Sequence, residues 1–404
     1  MKDERMKNCL LPAACCLLLF LLASCTRETI TFPTTDCYWS DFSVNHPDNE
    51  KYQNLLEEFV SRGLPGISLL IDREGDELWV GSAGVSRIEN QQPMEPCNIM
   101  PVGGAGKLFC GTAAMLMIED GLLALDTTID NYLTDDLVSL IPNAGSATVA
   151  HLLSHTSGIP DFADNNIVML DLLNNKNMEF SRERILEDFV FGENPGFRAG
   201  EKYSYSSSNY EILTIIMDKV YPKGHISYYD FRIISRLGLR KTFYKSDTTY
   251  LNLYERGMAN GYFDRHGDGI LENATDLSIT IASGQTGSDG VVSNVVDIHT
   301  LLISIMEAEI ISSESLHLMK EYIKEKEGFQ TYKYGLGLAY RDSGQYGVSI
   351  GYAGSSPGYT TGAWYFSDRD TYIVYQINAG NIFGGPVQEL IDDEFRQELL
   401  KVVF

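Results

Sequence analysis

Strand-like segments near the two ends of this chain constrain its fold more than anything between them. "GISLLIDREGDELWVGSAGV" (66–85) reads as two strands around a turn at Glu74-Gly75-Asp76. From "YGLGLAY" onward the β-branched and aromatic pattern returns, in "GAWYFSD" and "TYIVYQIN". The long middle has helical periods instead, as in "YEILTIIMDKV" (210–220) and "VVDIHTLLISIMEA" (295–308). Strands so far apart in sequence must meet in one sheet, which makes the middle an insertion. The predicted fold class is therefore α+β: an antiparallel sheet flanked by an N-terminal helix, "EKYQNLLEEFVSRG" (50–63), and the amphipathic C-terminal "GPVQELIDDEFRQELLKVV" (385–403). The mostly helical insertion spans about 110–320.

With 404 residues and 44% hydrophobic content, the chain can bury a large core. Lys2, Arg5 and Lys7 precede the apolar run "CLLPAACCLLLFLLASC", which is too short to span a bilayer comfortably and reads as an export signal. Its end, Leu22-Ala23-Ser24-Cys25, resembles the lipobox of bacterial lipoproteins. That resemblance implies cleavage after residue 24, acylation of Cys25 and a membrane-anchored protein of the bacterial cell envelope, facing the periplasm or the cell surface. An ordinary secretory signal is the competing reading, since Cys9, Cys15 and Cys16 show that the segment uses cysteine freely.

Residues 25–48, rich in Thr, Pro and Asp, read as a tether that would reach about 80 Å if extended. The domain then runs over 49–404. Beyond Cys25, the cysteines Cys37, Cys97 and Cys110 contain no Cys-x-x-Cys pair and suggest neither a zinc site nor a disulfide framework. An oxidising envelope permits a Cys37–Cys97 bridge, but sequence does not fix cross-link geometry. The formal charge of −24 argues against nucleic acid as a partner.

"PVGGAGKLFCGT" (101–112) has the look of a phosphate-binding loop, yet Pro101 stands where a Walker A loop needs glycine and Leu108 where it needs Ser or Thr. A helix is predicted from close to Lys107 to Gly121, with an apolar stripe of Phe109, Ala113, Leu116 and Met117.

Six segments in order carry a family resemblance: "IEDGLLALDTTIDNYL", "ATVAHLLSHTSGIPDF", "AGEKYSYSSSNYEIL", "DGVVSNVVDI", "YGLGL" and "GYAGSSPGY". They resemble the serine beta-lactamase and penicillin-binding-protein family, in its class C beta-lactamase and D-alanyl-D-alanine carboxypeptidase branch, from about residue 50 to the C-terminus. The resemblance implies a beta-lactamase/transpeptidase-like fold and a serine hydrolase site without cofactor or metal. It also implies three motifs, and each departs from the family here.

Where the family has Ser-x-x-Lys, the lysine is Lys107 and the nucleophile position is Gly104. Where it has Tyr-x-Asn, Tyr205 matches the proton-shuttling tyrosine and Ser207 replaces asparagine. Where it has a basic residue two before a glycine, Tyr352 replaces the base and Gly354 is kept, leaving room for a ligand to approach the strand; Ser355 then offers a backbone N–H to the oxyanion hole. The expected ligand contacts are thus Gly104, Ser207, Gly354 and Ser355.

Two lookalikes point elsewhere. His151 and His155 have a metal-ligand spacing, but "HLLSH" lacks the glutamate of His-Glu-x-x-His, and the family's "HTSG" turn is structural. Cys110, one turn past Lys107, points into the core and reads as structural.

Losing the nucleophile of a serine hydrolase removes on the order of a millionfold in rate. The expected protein is therefore a pseudoenzyme that binds a peptide, a peptidoglycan fragment or another acyl compound without acylation. The alternative is a working hydrolase with a rearranged site, using Ser207, Tyr205 or an activated water.

Overall fold

The computed structural model describes residues 37, 43–174, 180–244, 252–321, 324–326, 329–380 and 384–404. The leader, Cys25 and most of the tether lie outside these.

The opening helix, α1 (Asn49–Ser61), buries Tyr52, Leu55, Leu56 and Phe59. It leads into β1 (Gly66–Arg73), β2 (Trp79–Arg87) and the short β3 (Gln92–Pro93). Short strands punctuate the middle: β4 (Met100–Pro101), β5 (Phe243–Tyr244), β6 (Tyr262–Phe263), β7 (Glu272–Asn273) and β8 (Val291–Ser293). The last part adds β9 (Lys324–Lys326), β10 (Phe329–Tyr334), β11 (Ala339–Asp342), β12 (Val348–Ser356), β13 (Tyr359–Phe366) and β14 (Thr371–Ile377).

The two ends of the chain meet in one sheet, ordered β3-β2-β1-β14-β13-β12-β11-β10-β9. The seam is the antiparallel pair β1–β14, with Ile67 opposite Ile377 and Leu70 opposite Val374. α1 and the C-terminal helix Arg396–Val403 pack together beside this seam, and the helix Val295–Met306 packs on β14, β13 and β1. Helical cover explains why β14 is buried along its whole length, where a half-exposed strand would alternate. The run "YGLGLAY" is not one strand: Gly335–Leu338 separate β10 from β11, and Gly337 has a φ of 76°.

The insertion holds a three-stranded sheet, β4-β8-β5, and the β6-β7 pair among its helices. At its centre is α2 (Gly106–Glu119), entered through a tight turn at Gly103–Ala105. The predicted stripe is too narrow, because every residue from Gly106 to Met117 is buried. A helix apolar on all sides is a core element, and α2 serves as the axle between sheet and insertion.

Two expectations for the N-terminal part change. Cys37 is disulfide-bonded to Cys97. Residues 43–48, assigned above to the tether, pack on the domain: Ser43 is buried, and its hydroxyl donates to the Val80 carbonyl (2.6 Å) while accepting from the Val80 N–H (2.7 Å). Composition had favoured a linker here, and a single hydroxyl satisfying an edge position of β2 outweighs it.

Candidate active site

Five glycines shape the site, and four are there for backbone reasons. Gly103 has a φ of 57°, and a side chain on it would begin 3.0 Å from Ser355 N. A Cβ on Gly106 would meet the Asp289 carbonyl at 2.4 Å. On Gly354 it would meet Val102 O at 2.1 Å and Gly104 N at 2.7 Å. Gly290, with a φ of 77°, turns the chain after Asp289. These contacts are backbone against backbone, so no rotamer relieves them.

Gly104 is different. Its φ lies outside the left-handed region, and a Cβ there would sit in ordinary contact, 3.4 Å from Ala353 O and 3.6 Å from Tyr205 Oη. Nothing in the backbone asks for glycine at this position.

One turn along, Lys107 is almost wholly buried (1% exposed). Its Nζ donates to the Ser288 carbonyl (3.1 Å) and lies 4.9 Å from the centre of the Tyr205 ring and 5.7 Å from that of Tyr210. The loop bearing Ser288 is held by Glu211, fully buried on the helix Ser208–Val220. Its carboxylate accepts from Ser288 N (2.8 Å), Ser288 Oγ (2.6 Å) and Gly287 N (3.1 Å). The amine is thus fixed by a chain of satisfied hydrogen bonds running from helix to loop.

β11 pairs with β12 only as far as Gly351, so residues 352–356 have β13 on one side and the start of α2 on the other. This brings the amides of Gly104 and Ser355, assigned above to the oxyanion hole, to the same end of α2. The result is a cleft of about 440 Å³ whose lining includes Gly104, Lys107, Tyr205, Ser207, Gly354 and Ser355. A larger hollow of about 560 Å³, around Phe263, Arg265 and Leu277, contains none of these six.

Three site expectations are corrected. Tyr352 does not line the cleft: its ring is buried edge-on to Tyr334 (5.7 Å between centroids), its hydroxyl has no partner among the described residues, and burial holds its pKa well above the usual tyrosine range. Gly354 is glycine because the start of α2 presses on the strand, rather than to admit a ligand. Among the described residues, no hydrogen bond joins Ser207 Oγ to Lys107, whose amine is directed to Ser288 instead.

His151 and His155 have structural partners. The Nδ1 of His151 accepts from Thr148 N (3.2 Å) in a capping box, and that of His155 accepts from Ser206 N (3.2 Å). Among the described residues no group of His, Cys, Asp and Glu could hold a metal ion. Cys110 is fully buried, which pushes its thiol up to about 12.

Sequence reasoning missed Glu211 and Asp289. Glu211 stood out only as one carboxylate inside the apolar run "YEILTIIM", and Asp289 merely opened a matched segment. Asp289 is 4% exposed, lines the cleft and has one carboxylate oxygen, Oδ1, without a partner among the described residues. Burial raises its pKa to about 7, against the opposing pull of Lys107 and the Gly290 N–H.

A lysine rooted in a buried helix beneath the nucleophile position, a tyrosine over that lysine and an opposed sheet edge define a serine-hydrolase scaffold. The beta-lactamase family model matches residues 52–391, and the chain belongs to that family. Penicillin-binding protein 4* of Bacillus subtilis (strain 168) is 22% identical over 363 residues, covering 86% of this chain and 74% of that one. The D-amino acid amidase from Ochrobactrum anthropi SV3, solved with L-phenylalanine, superposes with a TM-score of 0.74 at 23% identity, over 88% of this chain and 97% of that one. A penicillin-binding protein from Bacillus halodurans gives 0.68 at 18% identity, over 87% and 98%. The fold is that of the beta-lactamases and transpeptidases.

Proposed function

We propose that this protein is an exported lipoprotein, anchored through Cys25, whose cleft binds a peptide, a peptidoglycan fragment or another acyl compound without forming an acyl-enzyme. The observation that carries this reading is Gly104. The position above Lys107 has room for a side chain and no oxygen to attack with, while the amine, the tyrosine and the sheet edge remain. Such a site keeps the means to hold an acyl group and lacks the means to divide its hydrolysis into two steps.

Intact-mass spectrometry tests it. After incubation with a penicillin and with p-nitrophenyl esters, the mass of the protein stays unchanged and ester turnover matches buffer. A covalent adduct would overturn the reading. So would turnover that disappears in Tyr205→Phe or Ser207→Ala, which would establish the rearranged hydrolase instead.

A further inference from the structure

Asp289 takes no part in the scaffold just described, and it is the polar group in the cleft whose bonding is least complete. Its backbone is fixed: its N–H donates to the Gln285 carbonyl (3.2 Å), its carbonyl lies against Gly106, and Gly290 turns the chain directly after it. The carboxyl group therefore stays at the cleft wall. Lys107 does not neutralise it by contact, because no ion pair within 4.0 Å joins them and the amine is directed to the Ser288 carbonyl. A buried acceptor left unmatched is rare in folded proteins and calls for a partner from outside the chain.

The rest of the lining sets the sign of that partner. Asp164 adds a second carboxylate, Lys107 is the one cation among the lining residues, and Tyr352 leaves the nearby strand position uncharged and buried. The cleft is short of donors and rich in carboxylate, the reverse of a site built to clamp a substrate carboxylate.

We propose that the ligand of this cleft carries a free amino group, received as an ammonium by the Asp289 carboxylate. The inference rests on the reading of the cleft as a non-acylating ligand site and names the chemical class the site takes.

The test uses two mixed libraries of dipeptide amides, one with free amino termini and its N-acetylated twin, incubated with the protein and recovered by ultrafiltration and mass spectrometry. The free amines are expected to be retained about tenfold over their acetylated twins. That preference is lost in Asp289→Asn and in Asp289→Ser, with each variant's folding checked by its melting transition. Equal retention of both libraries, preference for the acetylated one, no retention of either, or a preference that survives both substitutions would overturn the proposal. An acyl adduct on the protein would instead sink the non-acylating reading, whichever library is preferred.

Discussion

The floor of the cleft and its mouth are built to different standards. On the floor, Lys107, Ser288, Gly287 and Glu211 form a closed set of hydrogen bonds, all buried. At the mouth, Gly104 leaves space unfilled, Ser207 makes no bond to the amine, and Asp289 Oδ1 has no partner among the described residues. A hydrogen-bonded floor is needed for the fold, since each buried group in it would otherwise be left unsatisfied. The mouth serves chemistry alone, and there the residues have diverged from the family pattern.

That contrast is broken most directly on the floor. Glu211→Ala strands the donors of Gly287 and Ser288 and removes a buried charge, so it should destabilise the protein by about 3–5 kcal/mol, read from urea unfolding. A loss near zero would mean that the floor is not what holds the insertion to α2.

The glycines give the next largest effect. Gly354→Ala drives a methyl group against Val102 O and Gly104 N and should cost about 1–3 kcal/mol. Gly104→Ala meets only ordinary contacts and should be neutral or stabilising by up to about 1 kcal/mol. Equal losses at both positions would erase the distinction between a structural glycine and a missing side chain.

The smallest effect concerns pH. The folded pKa of Asp289, about 7, lies above its unfolded value of 3.8. Between those values the folded protein holds the proton more tightly than the unfolded chain does. The penalty for ionising Asp289 in place is therefore absent below 3.8, grows as pH rises and is complete above 7. Asp289→Asn should raise the melting temperature at pH 8 by more than it does at pH 5. The opposite ordering would mean that Asp289 has a stabilising partner.

The sequence made the frame legible because strand pattern and motif order are local properties. The meeting of β1 with β14, the insertion between them, and the gathering of Gly104, Lys107, Tyr205 and Ser207 in one cleft all followed from segments read one at a time. What escaped depends on contacts across the chain. Lys107 and Ser288 are 181 residues apart, and no local pattern marks Glu211 as the group that holds Ser288 in place. Gly354 was legible as a required glycine, but the neighbour requiring it was not, because the approach of α2 is a matter of packing. Tyr352 was assigned to the site from alignment with a basic residue, whereas an aromatic side chain gains more by burial against Tyr334 than by facing water.

The claim that one oxygen separates this cleft from an acylating site is tested by Gly104→Ser with p-nitrophenyl acetate, a neutral ester that needs no carboxylate clamp. The account predicts a burst of p-nitrophenol and a matching acetyl adduct in the variant, both abolished by adding Lys107→Met, and neither in the parent protein. An adduct on the parent protein, or a folded Gly104→Ser variant that shows no burst, would contradict it.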